Sequence, residues 1–306
     1  MDGRLRYRRV VRPVRQWFRR HGRSLPWRGI SDPYRLLLSE IMLQQTQVSR
    51  VLVRYPEFLR RFPTLRALAQ SPLRDVVLTW RGMGYNNRAV RLHALARILD
   101  GRLNGRIPDT VEELLRLPGI GRYTACALLS AVYGRRVPVV DVNVRRVLSR
   151  LFFRMTALNG TVAEPEAWKA AERLLPARDV FQWNQALMDL GATVCTARAP
   201  GCPSCPVARW CMSRGVMRDA GFRTAKKEPG RGGIPNRIYR GRIIEELRRT
   251  RPGQSIGVIH LGRRIHPGFA HSHVRWLGGL LKGLQKDGLI VIRPGRGEKS
   301  RRITLA

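Results

Sequence analysis

Apolar positions recur at three- and four-residue spacing through most of the first two thirds of the chain. Leu37, Leu38, Ile41 and Met42 form one such stripe, and Val90, Leu92, Leu95, Ala96 and Leu99 another. That period belongs to helices that bury one face. It runs from about Val11 to Leu190, strict alternation is scarce, and Pro63-Thr64, Gly101, Pro108-Asp109 and Pro118-Gly119 read as breaks between helices. A mainly helical first domain is therefore expected over residues 1–223. Between Cys195 and Cys211 the period fades, and residues 224–235 (TAKKEPGRGGIP) read as a flexible basic linker. In 236–306 the period resumes. Ile238, Ile243, Ile244 and Leu247 mark one helix, Ile256, Ile259 and Leu261 a second with Ser255 as its N-cap, and Val274, Leu277, Leu280, Leu281 and Leu284 a third. Gly288–Ile292 and Arg302–Leu305 then read as two short strands around Pro294-Gly295-Arg296-Gly297.

Composition changes this picture in one respect. The 306 residues, enough for about two domains, carry 58 Lys+Arg against 21 Asp+Glu, a formal charge of +37. Such a field attracts polyanions, and far exceeds what solubility requires; the competing reading is a solvated surface in an arginine-rich protein. No apolar run reaches the ~18 residues of a membrane span, and the basic N-terminus lacks the apolar core of an export signal. A membrane protein, a secreted mini-protein and a neutral-surfaced binder of acidic partners are excluded; a cytoplasmic, nucleoid-associated protein is expected. Three helices followed by a basic hairpin resemble a winged helix-turn-helix, so 236–306 is expected to bind DNA, the alternative being a module that only packs against a partner.

Candidate chemistry starts with cysteine. Cys195-x6-Cys202-x2-Cys205-x5-Cys211 places four of the five cysteines in one irregular loop, 195–211. Four thiolates can close around a cubane iron–sulfur cluster or a tetrahedral zinc; zinc ribbons usually supply two C-x-x-C knuckles, and here there is one. Cys126, among Ala and Leu, reads as a core residue. Leu117-Pro-Gly-Ile-Gly-Arg-Tyr-Thr124 joins two helical segments, and Gly119 and Gly121 permit backbone N–H groups to approach a phosphate at a helix N-terminus. Asp141, 20 residues beyond Gly121, opens another helix (VDVNVRRVL), where an acid is ordinarily an N-cap. Glu40 sits among Leu38, Ile41 and Met42 beside Gln44 and Gln45; it is either a surface acid of an i,i+4 pair or a walled carboxyl able to act as a general acid.

Together the segments SEIMLQQTQV, WRGMGYNNRAVRLH, the hairpin with Tyr123, VDVNVRRVLSR and WNQALMDLGATVC resemble the MutY-type adenine DNA glycosylases, from about Leu25 to Cys211. The cysteine spacing is similar to the 4Fe-4S loop of that family and of endonuclease III. The resemblance implies a two-lobed helix-hairpin-helix fold with a 4Fe-4S cluster on Cys195, Cys202, Cys205 and Cys211, followed by the small winged-helix-like α+β domain. It implies a base-excision-repair enzyme that hydrolyses the N-glycosidic bond of adenine opposite guanine or 8-oxoguanine in double-stranded DNA, acting as a monomer. By position, Glu40 protonates the flipped base and activates water, Asp141 stabilises the cationic sugar, and Asn143 holds its carboxylate. Trp27, Arg28, Leu43 and Gln185 line the base pocket, while Gln45 and Tyr85 wedge into the stack. The two acids are expected to share one nucleoside.

Bifunctional relatives place a lysine where this chain has Tyr123, and no lysine precedes Lys169. Imine chemistry needs an amine beside the sugar, so a monofunctional enzyme is expected. The chain departs from the family twice: residues 236–306 stand where a pyrophosphohydrolase-like domain is usual, and Asn86 replaces a second tyrosine. Both departures bear on the 8-oxoguanine preference. The competing readings are a thymine/uracil glycosylase for T:G and U:G pairs, and a non-catalytic DNA-binding regulator with a redox-sensing cluster.

Overall fold

A computed structural model describes residues 3–155, 160–216, 228–295, 297 and 300–306. From the N-terminus run α1 (Gly3–His21), α2 (Pro33–Leu43), α3 (Val48–Arg61), α4 (Leu65–Gln70), α5 (Leu73–Thr79) and α6 (Asn87–Leu103). The short α7 (Val111–Leu115) and then α8 (Arg122–Val132), α9 (Val142–Phe152), α10 (Glu164–Arg173) and α11 (Val180–Asp189) follow. α11 continues into a π-helical turn, Leu190–Val194, and single 3-10 turns shape the cysteine loop at Cys202–Ser204 and Ala208–Trp210. Local chemistry explains several boundaries. Thr64 and Thr110 cap α4 and α7 by accepting from the N–H groups of Ala67 and Glu113. α6 does not stop at Gly101 as expected; that glycine lies within the helix, which ends at Asn104 in the left-handed conformation (φ 48°).

The described residues of Met1–Leu37, Pro108–Arg116 and Ile120–Ala225 form one compact unit, and those of Leu38–Ile107, Leu117–Gly119 and Lys226–Ala306 form another. The first unit has a core of Val10 and Val14 from α1, Val144, Val147, Leu148 and Leu151 from α9, Trp168 from α10, and Trp183 and Leu187 from α11. Each set repeats at helical spacing, which is why these helices present one face inward. In the second unit α4 and α5 pack on α6, and Phe58 of α3 meets the edge of Trp80, ring centroids 5.9 Å apart. Both rings are fully buried.

The C-terminal module belongs to the second unit. Its first piece corrects the sequence expectation. Residues 224–227 lie outside the described residues, but the rest of the expected linker is built. β1 (Gly230–Arg231) pairs antiparallel with β2 (Ile234–Pro235) across Gly232 and Gly233. Both glycines have positive φ, 55° and 74°, the backbone a two-residue hairpin loop requires. Then come α12 (Asn236–Arg248), β3 (Ile256–Gly257), α13 (Val258–Ile265), α14 (Val274–Lys286), β4 (Ile290–Arg293) and β5 (Arg302–Leu305). The expected three helices and two strands are present, with β3 added to a sheet of order β3-β5-β4. Ser255 does not cap α13: its hydroxyl accepts from Arg302 Nε at 2.9 Å, and Gly257 is the N-cap. Ile243, Ile244, Leu247, Leu261, Leu277, Leu284 and Ile303 are buried in a core where α12, α13 and α14 pack pairwise. Among the described residues no helix is long and apolar enough to cross a membrane.

Candidate active site and cysteine loop

In the first unit Asp141 is the N-cap of α9. Its Oδ1 accepts from Val144 N at 2.7 Å and its Oδ2 from Asn143 Nδ2 at 2.7 Å. Cap and candidate site are thus the same geometry: one oxygen closes the helix and a side-chain amide orients the other. Asn143 Oδ1 in turn accepts from Arg146 Nη2 at 2.9 Å, and Arg146 reaches Gly191 O at 2.6 Å and Cys195 O at 2.9 Å. A continuous chain of hydrogen bonds therefore runs from Asp141 to the first cysteine of the loop. Gly191 is what permits it. A Cβ at that position would lie 2.8 Å from Asn143 Cβ and 2.9 Å from Asn143 O, so only glycine lets the π-helical turn approach α9 this closely.

Arg28 and Gln185, expected to line a pocket, meet: Arg28 Nε donates to Gln185 Oε1 at 2.8 Å. The guanidinium also grips Asp189 with Nη1 and Nη2 at 2.9 and 2.7 Å, and Arg23 adds its backbone N–H and Nε at 2.9 and 2.8 Å. Asp189 is fully buried. Burial pushes its carboxyl up, yet hydrogen bonds from Arg28 and Arg23 outweigh that and hold it below the ordinary range. Gln185 thereby commits its oxygen and keeps an amide N–H2 as a donor. Trp27 is buried beside Arg28 in the chain. Tyr123, in the first turn of α8, directs its hydroxyl to Met188 Sδ at 3.5 Å, and Gly121 is the N-cap of α8.

The cysteine loop closes this unit. Cys195, Cys202, Cys205 and Cys211 line one cavity with Arg150 and Ser213, and none of the four is in a disulfide. Burial, and then mutual repulsion with the neighbouring cysteines, raises Cys211 and pushes Cys205 up to about 11, backbone N–H groups acting in the opposite direction. Among the described residues no three His, Cys, Asp or Glu side chains form a group suited to one metal ion. Arg150 ties the loop to α9 through Thr196 O at 2.6 Å, Ala197 O at 2.9 Å and Cys195 Sγ at 3.5 Å. Cys126 is a core residue, as expected, and burial raises its thiol to about 11.

In the second unit Glu40 is 4% exposed on α2, between the buried Ser39 and Ile41. It is a walled carboxyl rather than a surface acid. Leu43 ends the same helix half-buried. Gln45 and Tyr85 are exposed, and both hold the left-handed conformation, φ 54° and 42°, which costs a non-glycine residue energy and persists where neighbours impose it. The neighbour is Arg88. This arginine, 5% exposed, donates to Ile41 O and Met42 O (both 2.9 Å), to Gln44 O, to Thr46 Oγ1 (2.8 Å), and to Met83 O and Gly84 O (3.1 and 3.2 Å). Its Cζ lies over the rings of Trp80 and Tyr85, 5.2 and 5.7 Å from their centroids. One guanidinium thus holds the end of the Glu40 helix, the Gln45 loop and the Tyr85 turn. Gly119, with φ 83°, accepts from Gln44 Nε2 at 3.3 Å.

Arg88, Arg146, Arg150 and Asp189 were not singled out from the sequence. The signals were there. Asp189 is one helical turn beyond Gln185, Arg146 one turn beyond Asn143, and Arg88 falls in register with Leu92, Leu95 and Leu99 on the buried face of α6.

Comparison with known proteins agrees with these features. Residues 38–172 match the HhH-GPD superfamily of base excision DNA repair proteins. The chain is 43% identical over 238 residues to the adenine DNA glycosylase of Mycobacterium tuberculosis, covering 76% of each chain. A thermostable thymine-DNA glycosylase is similar in structure with TM-score 0.63 and 28% identity, over 69% of this chain and 97% of that one. Endonuclease III in a trapped covalent intermediate with DNA gives TM-score 0.61 and 25% identity, over 70% and 97%. The chain belongs to the adenine DNA glycosylases, within the HhH-GPD superfamily.

Proposed function

We propose that this chain is a monofunctional base-excision-repair enzyme that hydrolyses the N-glycosidic bond of adenine mispaired with guanine or 8-oxoguanine. The observation that carries the reading is the contrast between two carboxyls. Glu40 is 4% exposed on α2, and removal from water disfavours a charged carboxyl. Asp141 is oriented at a helix N-terminus by Val144 N and Asn143. Cleavage needs both: a proton for the leaving purine and an anion for the oxocarbenium-like sugar. Glu40 gives the proton and afterwards takes one from the attacking water; Asp141, held by Asn143, faces the sugar. Trp27, Arg28, Leu43 and Gln185 receive the base, with Gln185 offering its amide N–H2. Gln45 and Tyr85 fill the gap it leaves, offsetting the few kcal/mol of unstacking. The backbone at Gly119 and Gly121 meets a phosphate.

Tyr123 supplies no amine, so borohydride should trap no covalent adduct. The partner is duplex DNA, drawn by a charge of +37. The protein acts as a monomer on DNA in the cytoplasm, the C-terminal module adding phosphate contacts. Four cysteines line one cavity, and burial raises the thiols of Cys205 and Cys211; a strongly cationic group is what holds such a donor set as thiolates. Cys195, Cys202, Cys205 and Cys211 fit a 4Fe-4S cluster. When bound, it would hold the four cysteines together and close the loop, a structural role, while Arg150 ties that loop to α9. Cys202→Ser is expected to lower folded yield, DNA affinity and absorption near 400 nm together; loss of the absorption alone would argue against that role.

The test is single-turnover excision on A:8-oxoguanine, A:G, T:G and U:G duplexes with wild type, Glu40→Gln and Asp141→Asn. The expected result is adenine release by wild type only, with DNA affinity kept in both variants. Release of thymine or uracil in preference to adenine, or unimpaired variants, overturns the reading.

A further inference from the structure

The turn that carries Tyr85 is held from a second side. Arg248, the last residue of α12 and 5% exposed at its side chain, extends from the C-terminal module to both ends of that turn. Its Nε and Nη2 donate to Val77 O at 3.2 and 2.8 Å, and Nη2 also to Asn86 Oδ1 at 3.0 Å. Val77 lies in the last turn of α5, before the turn begins; Asn86 is the N-cap residue of α6, where the turn ends. Helix-terminal carbonyls without an intrahelical donor are favoured partners for a cation. Glu245 pairs with Arg248 and, at 3.3 Å, with Arg81 inside the turn, and Arg74 of α5 donates to Thr250 O. The Asn86 amide oxygen is thereby committed to the C-terminal module.

We propose that Arg248 is a positioning residue: through Asn86 and Val77 it makes the C-terminal module a brace for the wedge turn, so that Tyr85 is presented in its left-handed conformation before DNA arrives. This rests on the wedge role assigned to Tyr85 above. Arg88 fixes the turn's inner carbonyls, at Met83 and Gly84, and Arg248 fixes its two ends. Asn86 serves as the side-chain acceptor of the brace.

The experiment uses the full chain with Asn86→Leu, which keeps size but removes the acceptor, Asn86→Asp, which keeps the acceptor oxygen, and Arg248→Met. Hydrogen exchange of the peptide spanning 80–87 is read in the free protein, and single-turnover adenine excision and the ratio of affinities for mispaired and matched duplexes are read with DNA. Loss of one charge-assisted hydrogen bond predicts about tenfold faster local exchange and about tenfold slower excision for Asn86→Leu, and Arg248→Met, which also loses both bonds to Val77 O, is expected to show at least that effect, each with a reduced affinity ratio. Asn86→Asp is expected to stay within about twofold of wild type, since a carboxylate keeps the bond to arginine. Asn86→Leu indistinguishable from wild type, equal effects of Leu and Asp, or faster exchange spread over the whole chain overturns the brace. Wild type that releases no adenine from any duplex overturns the function instead, and the exchange data still decide whether the brace exists.

Discussion

Replacing Arg88 by methionine keeps much of the side chain's length and removes its guanidinium. Six acceptors lose a donor: Ile41 O, Met42 O, Gln44 O, Thr46 Oγ1, Met83 O and Gly84 O. At the low end of about 1.5 kcal/mol for a hydrogen bond to a charged group, these contribute about 9 kcal/mol. Against this stands desolvation, which pushes the guanidinium down to about 10 and so costs about 3 kcal/mol. Water can replace the donor at the solvent-facing turns, which about halves the remainder. A net loss of about 3 kcal/mol follows, within the range found on breaking a buried charged network. It should appear as a shift of the urea midpoint and a fall in Tm of roughly 10 °C. Arg88→Lys, with three donors on one atom, should lose about half as much. The same variants should lose discrimination between mispaired and matched duplexes, since the Gln45 loop and Tyr85 turn share this anchor. A Met variant within about 1 kcal/mol of wild type would falsify the account, because six buried bonds cannot then be holding these loops.

Two further outcomes follow from the first unit. Gly191→Ala places a Cβ against Asn143 Cβ and O at 2.8 and 2.9 Å, so overpacking should cost about 1–3 kcal/mol and slow excision by displacing the amide that holds Asp141; unchanged single-turnover rates would show that Asn143 need not be fixed. Asp189 is held below its unfolded value of 3.8, so its ion pairs contribute stability that is complete above that value and is lost as pH falls through the lower folded one. The gap between wild type and Asp189→Asn in urea denaturation should therefore be constant from pH 7 to about 5 and shrink only below about pH 4; a gap that narrows near neutrality contradicts the assignment.

Much of this protein was legible along the chain. The helical period, the helix-hairpin-helix, the C-terminal strands and the four clustered cysteines are local patterns, governed by backbone sterics and by which face of an element must leave water. Asp141 as an N-cap was local too, as was the pairing of Glu40 with an apolar stripe. The built hairpin at 230–235 was missed because a Gly-rich basic run reads as flexible until Arg231 and Tyr239 give it something to pack on, the Tyr239 hydroxyl donating to Arg231 O at 3.2 Å. Gly101 and Ser255 misled because a single favourable residue type does not decide a boundary against the packing of the whole helix.

What only the tertiary structure decided is where the arginines go. With 58 basic side chains in the sequence, composition sets a field but cannot say which few of them leave the solvent. Arg88, Arg146 and Arg248 are engaged inside the fold because distant carbonyls and amides converge on each, and that convergence depends on contacts up to 171 residues apart in the chain. A guanidinium is buried only where several acceptors repay its lost hydration at once. That condition is a property of the assembled chain, which no local pattern contains.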